Sequence, residues 1–226
     1  MYKIVVLNSK GGSGKTTVAT NLASYYATRA FRPALMDLDA QGSSARWLEV
    51  RPQTSARIHG ISAYKRDDRV TKTFQHRVPR GTQRLIVDTP AALDSMKFEE
   101  VTRGADAIVV PILPSDIDIH ASARVISKLL TAGRIDRREG RLCIVANRVR
   151  INTRSYDSLK RFLDSLHIPI VSRFRDTQNY VFAAERGLGL FELPQYRVKQ
   201  DREEWSKLIH WLETRRARHL QTVVQA

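Results

Sequence analysis

The apolar run KIVVLN (3–8) leads directly into SKGGSGK and then into TTVATNLASYYATRA (16–30). No other feature of the chain restricts its fold as tightly. Gly11, Gly12 and Gly14 let the backbone curl sharply, so that successive N–H groups point inward at an anion. A helix opening near Lys15 adds the positive end of its dipole to the same spot. Strand, glycine loop and helix in this order make a phosphate-binding loop. Lys15 is placed to reach the β- and γ-phosphates, the Thr16 hydroxyl to bind Mg²⁺, and Thr17 to meet the α-phosphate, with Ser13 inside the cradle.

The rest of the chain supplies the scaffold such a loop needs. RPALMDLD (32–39), QRLIVDTP (83–90), DAIVVPIL (106–113) and RLCIVANRV (141–149) read as strands. Their apolar residues are continuous rather than alternating, the mark of strands covered on both faces. Helical stretches fall between them at 122–134 and 153–167, and a last helix at 201–218 repeats Trp205, Leu208, Ile209 and Leu212 at helical spacing. The expected architecture is α/β: a doubly wound, mostly parallel sheet with helices on both faces, in one domain spanning 1–226. The segment 46–84 is basic and irregular, and a short helix and a loop are expected there. In this class ligands gather at the carboxyl ends of the strands, where the motifs lie.

Composition narrows the partners. The formal net charge of +15 points to an anionic partner, nucleic acid or an anionic surface. The single cysteine, Cys143, excludes a disulfide framework or a four-cysteine metal site within the chain, and its apolar setting marks it as a core residue. No apolar run is long enough to span a membrane. The first residues enter the strand at once, so the expectation is a cytoplasmic protein without a signal peptide and without a helix-turn-helix ahead of the loop.

One oddity remains. The usual phosphate loop carries one lysine, whereas NSKGGSGKTT has Lys10 as well as Lys15, with Ser9 where the common pattern has glycine. The form K-G-G-x-G-K-T resembles the deviant phosphate loop of the ParA/MinD family of P-loop ATPases. The resemblance implies that Lys10 reaches across a dimer interface to the partner's nucleotide, so that ATP bridges a homodimer. Two triphosphates face to face repel each other unless cations intervene. DLDAQGSS resembles the family's first switch: Asp39 matches the carboxylate that orients the attacking water, and Asp37 the one that helps hold the magnesium and lysine network. Ala40 stands where the family commonly has proline. LIVDTPA is similar to the magnesium-binding strand and second switch, with Asp88 binding Mg²⁺ through water and Pro90 and Ala91 opening a loop that senses the γ-phosphate. In VANRV, Asn147 matches an adenine-reading asparagine.

Within that family the iron–sulfur branch is excluded by the lone cysteine. A MinD-like membrane role is disfavoured because Leu220, Val223 and Val224 form only a thin apolar face. The small ParA type fits the charge. Its expected DNA face comprises Arg148, Arg150, Arg154, Lys160, Arg161, Arg197, Lys199 and Arg202, and the residues Arg134, Arg137, Arg138 and Arg141 add to it. The resemblance implies an ATP- and Mg²⁺-dependent dimer that coats nucleoid DNA without sequence preference. A cargo adaptor stimulates its slow hydrolysis, and the cycle moves a plasmid, a chromosome region or a protein assembly such as carboxysomes. The alternatives are a MinD-like membrane-associated ATPase, or a DNA-coating protein whose assembly is gated by nucleotide.

Overall fold

The computed structural model describes residues 1–64, 77–131, 135, 140–150, 153–166 and 168–225. Seven strands form one sheet, β1 (Tyr2–Val6), β2 (Pro33–Asp37), β3 (His59–Ser62), β4 (Arg84–Asp88), β5 (Ala107–Ile112), β6 (Leu142–Val149) and β7 (Ile170–Arg175). Their order is β3-β2-β4-β1-β5-β6-β7, and every described pairing is parallel. The helices are α1 (Lys15–Thr28), α2 (Ser43–Glu49), α3 (Ser95–Thr102), α4 (Asp116–Thr131), α5 (Arg154–Leu166), α6 (Gln178–Ala184) and α7 (Gln195–Gln225), with a short 3₁₀ turn at Leu190–Glu192. This is the doubly wound P-loop NTPase-like fold the apolar strands demand. None of the described helices is long and apolar enough to cross a membrane.

Strand alternation sorts the core into two layers. Ile4 and Val6 of β1, Ile86 of β4, Val109 of β5 and Val145 of β6 face α1 and α7, packing with Leu22, Tyr26, Trp205 and Leu208. Val5, Val87, Ile108 and Ile144 point the other way, towards Phe98 of α3, Ile126 and Leu129 of α4, and Leu159 and Leu163 of α5. Removing each such side chain from water contributes roughly 1.5–3 kcal/mol. Trp205 is fully buried and stacks on Phe174 with ring centroids 4.3 Å apart. Cys143 is buried on β6, as its apolar setting indicated.

Several elements depart from the sequence expectation. Helix α4 opens at Asp116, earlier than residue 122, because Ser115 caps it: its hydroxyl meets the Asp118 carboxylate and accepts from the Asp118 N–H. The last helix starts at Gln195 and bends at Val198, whose backbone is non-helical. Strands β3 and β7 and helices α3 and α6 have no counterpart in the sequence expectation. The 46–84 segment holds the end of α2 and all of β3. Its Lys65, Arg66, Arg69 and Lys72 lie outside the described residues, as do Arg134, Arg137 and Arg138.

Strand β1 is central, with β2, β3 and β4 on one side and β5, β6 and β7 on the other. The chain reverses direction across the sheet there, and the crevice at such a point opens above the strand ends. The glycine loop leaves β1 into that crevice.

Candidate functional site

The loop is shaped first by Asn8, a residue the motif does not mention. It is buried at the end of β1, and its Nδ2 donates to the Pro111 carbonyl at 2.7 Å and to Ser122 Oγ at 3.1 Å, while its Oδ1 accepts from the Lys10 N–H. Asn8 thereby ties the start of the loop to β5 and α4. A polar residue closing an otherwise apolar strand was the available signal. Gly12 and Gly14 then take left-handed backbone angles, φ +76° and +97°, and Gly14 forms the N-cap of α1. No side chain caps that helix, so the loop's N–H groups are left to a ligand.

Lys15 is buried, and its ammonium donates to the Lys10 carbonyl at 3.2 Å. Burial holds its pKa below the usual lysine value, while the nearby Asp88 and Asp39 carboxylates pull the other way. Lys10 is half-buried, and its own ammonium group has no partner among the described residues.

Three aspartates gather around this pair. Asp88 is buried at the end of β4; its Oδ2 accepts from Ser44 Oγ at 2.5 Å, and Oδ1 has no partner among the described residues. Desolvation, helped by the neighbouring Asp37 carboxylate, pushes its pKa up to about 6, against the Ser44 and Thr16 hydroxyls and the Lys15 charge. A buried carboxylate oxygen without a partner, beside a threonine hydroxyl at the helix start, is the donor set a Mg²⁺ ion uses when it retains most of its waters. No group of three or more His, Cys, Asp or Glu side chains suited to a metal occurs among the described residues.

Asp37, expected in the magnesium network, also bonds to the backbone that follows it. Its Oδ1 accepts from the Asp39 N–H at 3.0 Å and its Oδ2 from the Ala45 N–H at 2.9 Å. Both oxygens meet backbone donors because the chain folds back into α2 immediately after β2. Asp37 thus clamps the amino end of α2 while burial raises its pKa. Asp39 is half-exposed on the turn between them, its Oδ1 accepting from the Gln41 N–H at 2.9 Å. Ser44, within the quoted DLDAQGSS but assigned no role from sequence, joins this turn to Asp88.

Asn147, expected to read the base, lies beside the loop. It is buried, its Nδ2 donates to the Ser13 carbonyl at 2.8 Å, and its Oδ1 accepts from the Arg148 N–H at 3.0 Å. Both ends of its amide are engaged within the chain. Beside the loop, a groove of about 390 Å³ runs over the outer face of α1 from Thr16 and Thr17 to Trp47 of α2 and Tyr180 of α6.

The residues of the expected DNA face come from elements on both sides of the sheet. Arg148 lies near the carboxyl end of β6 and Arg150 just past the strand, both exposed, and Arg150 lies 3.6 Å from Asp176 just past β7. Arg154, Lys160 and Arg161 are exposed on α5, which packs on one side of the sheet. Arg197 and Lys199 are exposed on α7, which packs on the other, and Arg197 lies 3.7 Å over the Phe182 ring. Arg202 is not a free cation. Its Nη2 donates to the Phe191 and Leu193 carbonyls, both at 2.8 Å, and its Nε is buried. It fastens the 3₁₀ turn to α7. Arg141 similarly donates to the Ala105 carbonyl.

Comparison with known proteins agrees with this geometry. Residues 4–191 match the model of the CobQ/CobB/MinD/ParA nucleotide binding domain. A "Maintenance of carboxysome distribution protein A" from Halothiobacillus neapolitanus is 25% identical over 194 residues, covering 85% of this chain and 88% of that protein. A protein of the same description from Gloeobacter kilaueensis is 38% identical over 116 residues, and the match spans about half of each chain, 51%. The cell division ATPase MinD of Pyrococcus furiosus superposes with a TM-score of 0.69 at 15% identity, covering 94% of this chain and 98% of that one, which shows a common fold. The chain belongs to the CobQ/CobB/MinD/ParA family of nucleotide-binding proteins.

Proposed function

We propose that this chain is a positioning ATPase: it closes as an ATP-bridged homodimer, binds DNA without sequence preference, and is driven through its cycle by a cargo adaptor. The observation that carries this reading is the pairing of two lysines around one glycine loop. Lys15 is turned inward beside Asp88 and Asp39, and the Lys10 ammonium has no partner among the described residues of its own chain. The named function of the two carboxysome-distribution relatives supports a protein assembly of that kind as the cargo.

In this reading the loop N–H groups and Lys15 bind the triphosphate, and Thr17 contacts the α-phosphate. Thr16 and Asp88 hold Mg²⁺, which neutralises phosphate charge when bound. Asp39 orients a water in line with the γ-phosphorus. The water oxygen bonds to phosphorus as the bond to the bridging oxygen breaks, giving ADP and phosphate. Lys15 and the partner copy's equivalent of Lys10 stabilise the charge that shifts to the phosphate oxygens. Loss of the γ-phosphate removes the ligand that both copies share, and the dimer opens.

Exposed arginines on each copy supply weak phosphate contacts, and dimerisation joins two such sets, so DNA affinity follows the nucleotide state. The test is binding to random-sequence duplex DNA in ATP and in ADP across a salt series. The reading expects binding in ATP alone, falling steeply with salt. Equal binding in both nucleotides would remove the gating from the scheme.

A further inference from the structure

We propose that Ser44 is a positioning residue for the candidate metal site: its hydroxyl fixes one oxygen of Asp88 and so presents the other to a divalent cation. The inference rests on the nucleotide-site reading above and adds to it a residue outside the phosphate loop and the aspartates.

Asp37 and Asp88 are register partners at the ends of the neighbouring strands β2 and β4. Two carboxylates side by side and out of water repel each other, and Asp37 accordingly adds to the upward push on Asp88. Consecutive residues of α2 hold the pair. The Ala45 N–H donates to Asp37 Oδ2 at 2.9 Å, and the Ser44 hydroxyl donates to Asp88 Oδ2 at 2.5 Å.

Three features restrict Ser44 to this task. Its side chain is fully buried, and its hydroxyl meets the Asp88 carboxylate alone among the described residues. The approach of α2 is set independently of that bond. Gly42 enters the helix with a left-handed backbone, φ +63°, and a β-carbon there would lie 2.6 Å from Tyr64 Oη. The Gly42 N–H donates to the Asp39 carbonyl at 2.8 Å, so the turn is closed before Ser44 is reached. Lastly, Asp88 Oδ1 is buried with no partner among the described residues, so the bond from Ser44 selects the oxygen that stays available. A carboxylate can exchange its two oxygens by rotating about its last side-chain bond. A hydroxyl fixed to a helix removes that freedom, and a group that orients a metal ligand in this way acts on metal affinity.

The test titrates Mn²⁺, which takes oxygen ligands as Mg²⁺ does, into the full chain carrying ADP, and follows the electron paramagnetic resonance of the free ion. Ser44→Ala is expected to weaken Mn²⁺ binding by about tenfold to a hundredfold, with affinity for ADP in the absence of metal unchanged. In an Asp88→Asn background the same substitution should have no further effect, since the ligand it orients is gone. A role in packing alone would lower the melting temperature of the metal-free chain and leave Mn²⁺ affinity at the parent value, and that result overturns the proposal. An equal loss in both backgrounds also overturns it, because the effect would not pass through Asp88.

The unaltered protein gives a second measurement that does not depend on a variant folding. In crystals with ADP and Mn²⁺, the Ser44 hydroxyl should remain bonded to Asp88, with the other carboxylate oxygen facing the ion or one of its waters. A Ser44 side chain turned away from Asp88, or an ion held by the Ser44-bonded oxygen instead, overturns the proposal. If the parent takes up no Mn²⁺ with ADP, or Asp88→Asn alone binds it as tightly as the parent, the metal-site reading fails, and the role of Ser44 fails with it.

Discussion

At the amino ends of the strands, Arg84 is fully buried. Its Nη2 donates to both oxygens of Glu213 at 2.8 and 3.0 Å, and its guanidinium lies over the rings of Phe31 and Tyr26 at 4.2 and 4.8 Å. Tyr26 donates its hydroxyl to the same glutamate. At the carboxyl ends, Asp88 is almost as deeply buried, yet one of its oxygens has no partner among the described residues, and Lys15 donates to a backbone carbonyl. The same sheet thus carries buried charge at both ends. At one end the counter-charge comes from inside the fold and bolts α7 to β4. At the other the charges are held close but incompletely matched, which leaves room for an ion and an anion from outside. An incompletely matched buried charge weakens the unliganded protein and strengthens its grip on the missing partner.

Variants sharpen that contrast, beginning at the closed end. Glu213→Leu leaves Arg84 buried without its counter-ion and is expected to cost about 3–5 kcal/mol, read as a lower denaturant midpoint, with nucleotide affinity of the folded protein unchanged. If the loss is under about 1 kcal/mol, the pair is not the bolt described. Lys15→Ala should do the reverse, lowering triphosphate affinity by about a hundredfold, the scale of a lost charged hydrogen bond, while the unliganded protein melts no lower.

Asp88→Asn is the intermediate case. Asp88 binds its proton more tightly in the folded chain than in the unfolded one. The folded state therefore gains stability as pH falls through about 6 towards the ordinary carboxylate range, and loses it as pH rises back. Without divalent cations the Asp88→Asn variant should be more stable than the parent at neutral pH by roughly 1–3 kcal/mol, with a flatter pH dependence. The same change should abolish any Mg²⁺-induced rise in melting temperature. A destabilised variant would show that the carboxylate is well matched after all. Lys10→Ala should have the smallest effect on stability, within about 0.5 kcal/mol, because its ammonium has no partner among the described residues of its own chain. Light scattering with ATP should nevertheless show the dimer lost, and a dimer that persists would remove Lys10 from the bridge.

The open end was the more legible of the two in the sequence. Glycines, lysines and aspartates at strand ends are local patterns, and the central strands are continuous apolar runs. The closed end depends on residues 129 positions apart, Arg84 and Glu213, whose pairing no local pattern announces. The edge strands were hidden for another reason. β3 is HGIS, with only Ile61 buried, and β7 is IVSRFR, half of it polar, so neither has the apolar continuity of a covered strand. Gly60 in β3 reads as a strand breaker, yet a β-carbon there would meet Leu48 Cδ1 at 2.7 Å, so close packing of α2 selects it. The earlier start of α4 was readable in PSDID, where Ser115 and Asp118 have capping spacing. The engagement of Asn147 and Asp37 with backbone could be seen only once the loops were placed.

The place of β1 in the sheet also bears on how the chain is made. β1 is the earliest strand of the sequence, but its neighbours are β4 and β5, at residues 84–88 and 107–112. A ribosome making this chain must therefore pass from β1 through β5 before that strand has both partners. Parallel pairings of that span form slowly, since the intervening loop must close first. The hydrogen bond that ties Asn8 to Pro111 needs β5, so this anchor of the glycine loop is missing from a nascent chain until β5 has been made.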